Sequence, residues 1–158
     1  MIVGIMSDSH GDYAAIKRAV DIAGKVDLWL HAGDFSKDAQ YLEAYSKVQV
    51  ISVAGNCDGL SSESKVDEFF ELDGKKFWLT HGHQVKVKFG IDELIYWAKQ
   101  YEVDVAIYGH THIADISTYG NLLILNPGSV GCPRYTKASF LKLKIEKCQL
   151  YPELIGVY

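Results

Sequence analysis

Five short apolar runs of strand length in this chain each end in a polar cluster, and that recurrence limits the fold more than any other feature. Residues 2–6 lead into Asp8-Ser9-His10, residues 28–30 into Gly33-Asp34, and residues 48–54 into Gly55-Asn56-Cys57-Asp58. Residues 76–80 lead into His81-Gly82-His83, and residues 103–108 into Gly109-His110-Thr111-His112. In open α/β sheets, ligands collect outside the carboxyl ends of the strands. Five loops far apart in sequence are therefore expected to converge on one place. Side chains at i and i+2 of an extended chain share a face, so Asp8 with His10, His81 with His83 and His110 with His112 are expected to project as pairs.

The segments between the runs support an α/β fold. Asp12 is placed to cap a helix whose inner face is Ile16, Ala19, Val20 and Ala23, the spacing of one helical stripe. A second helix runs through Leu42 and Tyr45, so the first third of the chain reads βαβαβ and implies a parallel sheet. The rhythm then changes. Residues 66–72 and 76–80 form a hairpin across Asp73-Gly74, and a third helix carries Ile91, Leu94, Ile95 and Ala98 on one face. Residues 113–118 and 122–125 pair across Tyr119-Gly120-Asn121, and two last strands are expected at 139–145 and 149–155. The three prolines fall in or near loops and a chain end. With 158 residues, 48% of them apolar, one domain over 1–158 can bury a full core, and two sheets are expected.

Imidazole, carboxylate and amide oxygen together suit divalent first-row cations. Asp8, His10, Asp34, Asn56, His81, His110 and His112 are too many donors for one tetrahedral ion, so two metals are expected. Each cluster alone has a plainer reading as a solvated loop or turn, but serine or lysine would serve a turn as well. No basic leader precedes residue 2, and Cys57, Cys132 and Cys148 form no Cys-x-x-Cys pair, which points to a cytoplasmic protein without disulfides or structural zinc. No apolar stretch is long enough to span a membrane. The net charge of −4 gives no footprint for long nucleic acid, and a small anionic substrate remains compatible with cations bound locally.

The ordered set Asp8-x-His10, Gly33-Asp34, Gly55-Asn56-Cys57-Asp58, His81-Gly82-His83 and Gly109-His110-Thr111-His112 resembles the calcineurin-like metallophosphoesterase superfamily. The Asn126-Pro127-Gly128-Ser129 segment and the short length resemble its small bacterial and archaeal phosphodiesterases. The resemblance implies a four-layer αββα sandwich, with two mixed sheets facing each other and helices outside. It implies that Asp8, His10 and His112 bind one metal, that Asn56, His81 and His110 bind a second, and that Asp34 bridges. Manganese is the metal it suggests; the donors also accept Fe²⁺, Zn²⁺ or Ni²⁺.

The expected chemistry is hydrolysis of small phosphodiesters by a hydroxide activated between two metals, without a covalent enzyme intermediate. Asp34, Asn56 and His83 are read as catalytic, and Cys57, His83 and Arg134 as substrate contacts. Many relatives carry histidine where Cys57 stands, thought to protonate the leaving group. A thiol is a poorer acid at neutral pH, and Cys57 reads equally as a small packed residue, so good leaving groups should be preferred. His83 has acid and loop-hydrogen-bond roles as alternatives, and Arg134 has simple solvation. Asp58 reads as a turn residue or a carboxylate supporting a ligand, and His31 as a satisfied core histidine. A phosphomonoesterase or nuclease on the same site, or a protein-binding scaffold of the retromer-subunit type, is the competing function. Room remains for a homodimer.

Overall fold

The computed structural model describes residues 1–59 and 65–158. In chain order the elements are β1 (Ile2–Met6), α1 (Tyr13–Ala23), β2 (Leu28–His31), α2 (Ser36–Ser46), β3 (Val50–Ser52), β4 (Asp67–Leu72) and β5 (Lys75–Thr80). Two 3₁₀ turns follow at His83–Val85 and Val87–Phe89. They are succeeded by α3 (Asp92–Gln100), β6 (Val105–Ile107), β7 (Ala114–Tyr119), β8 (Leu122–Pro127), β9 (Ser139–Glu146) and β10 (Gln149–Gly156).

The strands form two five-stranded sheets, in the orders β10-β9-β1-β2-β3 and β4-β5-β6-β8-β7. Both are mixed. β1, β2 and β3 run parallel in the first, β5, β6 and β8 run parallel in the second, and the outer pairs are antiparallel. Alternation along each strand sorts side chains into three apolar layers. Val3, Ile5 and Leu30 meet Phe77, Leu79, Ile107 and Leu125 between the sheets. Met6, Trp29 and Phe140 face outward against Ile16, Ala19 and Leu42 of α1 and α2, and Trp78 and Ile124 face outward against Leu94 and Ala98 of α3. Helices thus cover the outer faces of a double sheet.

Several strands differ in length from their apolar runs. β3 and β6 each keep three residues of the expected six or seven, because the shoulders bend away while staying hydrogen-bonded: Val53 N–H reaches His31 O at 3.2 Å and Tyr108 N–H reaches Leu125 O at 3.0 Å. The 3₁₀ turns at 83–89 were not expected. Pro152 lies inside β10 rather than beside it, which is tolerated because β10 is an edge strand. Among the described residues no helix is long and apolar enough to cross a membrane.

Candidate metal centre

The parallel strands of both sheets deliver their following loops to one locus. The loop after β1 carries Asp8 and His10, that after β2 carries Asp34, and that after β3 carries Asn56 and Cys57. In the second sheet, His81 and His83 follow β5, and His110 and His112 follow β6. The sheets are tied together here: His110 N–H donates to Asp8 Oδ2 at 3.0 Å and His81 Nδ1 meets Ala32 O at 2.6 Å, while within the second sheet Gly109 N–H donates to His81 O at 3.0 Å. Gly109 is required by this approach, since a Cβ there would overlap Ser7 Oγ and crowd Asp8 Oδ2. A Cβ at Gly55 would overlap the Asp34 carboxylate.

The pairs at i and i+2 do not converge through extended backbone, as the sequence suggests. Asp8, His10, His110 and His112 have φ of 54°, 48°, 69° and 62°, a left-handed conformation uncommon for non-glycine residues and concentrated at functional sites. Each such residue turns the chain, so His110 and His112 join different groups. Asp8, His10 and His112 bring one donor atom each within 4.8 Å of one another, as do Asp34, His81 and His110.

The two carboxylates lie between these groups. Asp8 Oδ1 is 3.2 Å from His112 Nε2, 3.8 Å from His10 Nε2 and 3.9 Å from His81 Nε2. Asp34 Oδ2 is 3.3 Å from His81 Nε2 and 3.7 Å from His10 Nε2. His10 and His112 present their Nε2 atoms 3.2 Å apart, and His110 Nδ1 is 3.2 Å from His81 Nε2. Asn56 Oδ1 adds an amide oxygen 3.0 Å from His81 Nε2. Although His112 Nε2 is close, Asp8 Oδ1 is buried and accepts no well-aligned hydrogen bond among the described residues. A buried anionic oxygen left so is costly, whereas a cation between it and the imidazoles would satisfy it. The donor set therefore fits divalent cations.

The supporting contacts fix ring tautomers. His81 Nδ1 and His112 Nδ1 face the carbonyls of Ala32 and Cys132, so each ring carries its proton there and turns an Nε2 lone pair into the site. Ser7 Oγ donates to Asp8 Oδ2 at 2.5 Å, and Cys57 N–H donates to Asp34 Oδ1 at 3.0 Å. Burial works to raise the Asp8 and Asp34 pKa values, but hydrogen bonds and histidine charge outweigh it, holding Asp8 far below the usual carboxylate range and Asp34 at about 2. His112 is raised, chiefly by the Asp8 carboxylate that faces its Nε2. For His81, burial is overcome by the Asp34 bond and the charges of Asp8 and Asp34, and its pKa also rises. His110 is pushed down to about 4 by burial and then by the charges of His81 and Lys88.

The remaining expected residues take different places. The exposed Cys57 joins His10 and Asp34 within the same 4.8 Å limit, and burial of the thiol and the Asp34 charge raise its pKa. The His83 ring lies 5.5 Å from that of His81 and 6.1 Å from that of His110, and its Nδ1 is buried without a partner among the described residues. Arg134 comes near through its backbone, donating to His112 O at 3.3 Å. Asp58 orients no imidazole among the described residues. It binds the Gly55 amide at 2.6 Å and the Ser36 amide at 2.5 Å, and so shapes the turn instead.

Sequence reasoning missed the network behind His10. His31 is indeed buried and satisfied, but its Nδ1 accepts from Gly33 N–H at 3.3 Å, so its protonated Nε2 faces Ser9 Oγ at 2.9 Å. Ser9 Oγ in turn donates to Asp38 Oδ2 at 2.6 Å, and Gly11 N–H reaches the same oxygen at 2.8 Å. The position of Ser9 between two expected ligands was its only signal in the sequence.

Residues 1–148 match the family model described as the calcineurin-like phosphoesterase superfamily domain. A phosphodiesterase of Methanocaldococcus jannaschii is 33% identical, the alignment covering 81% of this chain and 83% of that protein. Among solved structures, a Streptococcus pneumoniae protein described as a predicted phosphoesterase superposes with a TM-score of 0.83 at 31% identity, over 99% of this chain and 92% of its own. Zinc-bound Vps29 of Entamoeba histolytica has a TM-score of 0.76 at 22% identity, over 100% of both chains, a likeness of fold.

Proposed function

Since this chain belongs to the calcineurin-like phosphoesterase superfamily, we propose that it is a metal-dependent phosphodiesterase whose active site is the strand-end cluster around Asp8 and Asp34. The observation that carries the proposal is the buried Asp8 Oδ1, without a well-aligned hydrogen bond among the described residues and faced by three imidazole nitrogens. On this reading Asp8, His10 and His112 would hold one divalent cation, Asn56, His81 and His110 would hold a second, and Asp34 would serve both. Bound there, the pair of cations supplies the positive charge that acidifies water and neutralises phosphate oxygens.

The chain's own residues prepare that chemistry. The Ala32 and Cys132 carbonyls hold the His81 and His112 rings with Nε2 facing inward, and the Cys57 amide steadies Asp34. His83, whose Nδ1 is buried without a partner among the described residues, contacts substrate, as does the guanidinium of Arg134 with its planar fork. Neither Cys57 nor His83 is a good proton donor at neutral pH. The thiol pKa is raised, and burial followed by the His81 charge lowers that of His83. Leaving groups that depart as weak bases, such as phenolates, are therefore cleaved fastest. Manganese is the cation we favour, with iron, zinc and nickel compatible with the same donors.

The test is metal loading followed by assay. Ion-free protein titrated with each of the four metals should take up two ions per chain and hydrolyse bis(p-nitrophenyl) phosphate faster than p-nitrophenyl phosphate. A protein that takes up none of these metals would overturn the proposal.

A further inference from the structure

A cleft of about 520 Å³ is lined by Val87, Lys88, Tyr108, Ile113, Arg134 and Tyr135, and the ligand set does not account for it. It adjoins the centre through three of its walls. Thr111, which also lines it, stands between His110 and His112. Val87 packs against Gly82, where an added Cβ would come within 2.9 Å of its methyl carbon, and Gly82 lies between His81 and His83. Arg134 is joined to His112 by a backbone hydrogen bond of 3.3 Å.

The charge of the cleft is opposite to that of the molecule. The chain carries −4, yet Lys88 and Arg134 form no ion pair among the described residues. Among the described residues Asp115 is the one carboxylate in the lining, and its Oδ2 already accepts from Tyr108 Oη at 3.1 Å and Ser117 Oγ at 3.2 Å. Lys88 and Arg134 thus leave the lining with an excess of positive charge. A phosphodiester brings one negative charge, which bound cations would already balance, so these two side chains call for another anion. The apolar side chains of Val87 and Ile113 and the exposed Tyr135 ring give the rest of the cleft the mixed lining of a small-molecule site, and its volume falls in the usual range for one.

We propose that this cleft holds the organic group that stays attached to the phosphorus during hydrolysis, and that this group is nucleoside-sized and bears a further phosphate recognised by Lys88 and Arg134. The proposal rests on the phosphodiesterase reading and adds a substrate class to it: nucleotide diesters with a second, terminal phosphate.

The test uses two substrates with one leaving group, thymidine 5′-(p-nitrophenyl phosphate) and the same compound bearing a 3′-phosphate. With the metal-loaded protein, kcat/KM should be about tenfold higher for the 3′-phosphorylated compound, the worth of one charge-assisted hydrogen bond. Lys88→Gln should bring the two within about twofold, while Lys88→Arg should keep the preference. Calorimetry on the products gives a readout independent of turnover: thymidine 3′,5′-bisphosphate should bind more tightly than thymidine 5′-phosphate, and Lys88→Gln should erase the difference. Equal use of both nucleotides, or a preference that survives Lys88→Gln, overturns the cleft assignment. Failure to cleave bis(p-nitrophenyl) phosphate with any metal would instead overturn the phosphodiesterase reading, so the two failures are distinguishable.

Discussion

At the scale of single residues, the least obvious contributor is Ser9, a hydroxyl between two carboxylate- and imidazole-bearing neighbours. It accepts a hydrogen bond from His31 and donates one to Asp38, which also accepts from the Gly11 amide; the loop is thereby fixed on both sides of His10. Ser9→Ala would leave buried groups of His31 and Asp38 short of a partner, at about 1–3 kcal/mol. Because contacts of this kind orient ligands, it should also weaken metal binding by about 10–100-fold. Thermal melts and metal titration calorimetry separate the effects: lost stability with unchanged affinity would mean that the network holds the fold alone. The donor residues themselves were legible in the sequence, because each follows its strand within a few positions. Ser9 and Asp38 were not, since their pairing crosses from a loop to the helix after the next strand, and no local spacing encodes it. The left-handed backbone at Asp8, His10, His110 and His112 was equally hidden, because their side chains give no cue of the kind glycine gives.

At the scale of elements, the start of α1 and most of its inner face were readable, Val20 being half-buried instead of buried. Asp12 accepts from Ala15 N–H at 2.9 Å as an N-cap, and Ile16, Ala19 and Ala23 are buried on the inner stripe. Asp12→Ala should cost about 1 kcal/mol, or about 2–4 °C in Tm for a chain of this size. Urea unfolding monitored by circular dichroism would measure it. Metal affinity should fall less than in Ser9→Ala, since the Asp12 side chain bonds to the helix and its backbone bond to Ser9 O survives the substitution; an equal fall would show that the helix start itself positions the ligand. The β4–β5 hairpin was readable for a similar reason, with Asp73 and Gly74 both at positive φ, 49° and 76°, as a tight two-residue turn requires. By contrast, α2 begins without a side-chain cap at Phe35, whose φ is 67° and whose ring meets His10 edge-on at 5.2 Å. The 3₁₀ turns at 83–89 are too short to show periodicity, so the wall carrying Val87 and Lys88 could not be anticipated.

For the molecule as a whole, joining two sheets through one cluster of ionisable groups links pH, metal and stability. In the ion-free protein His81 and His112 have pKa values raised above 6.5, so their contribution to stability is fully present below pH 6.5 and lost as pH rises through the higher folded values. Asp34, lowered from 3.8 to about 2, contributes above pH 3.8 and loses that contribution as pH falls through about 2. A cation needs the imidazoles neutral, and must displace whatever protons His81 and His112 hold. Metal affinity should therefore rise with pH from 6.5 upward until both are neutral. His110, at about 4, is already in its ligand form and adds nothing to that slope. Calorimetric metal titrations near neutral pH, in two buffers of different ionisation heat, should detect proton release on loading. The ion-free and metal-loaded proteins should also diverge in thermal stability between pH 6.5 and 8.5, the loaded form gaining on the other as protons cease to compete. Equal affinity across that range would mean that the ions bind away from His81 and His112, and would separate the metal site from the cluster that joins the sheets.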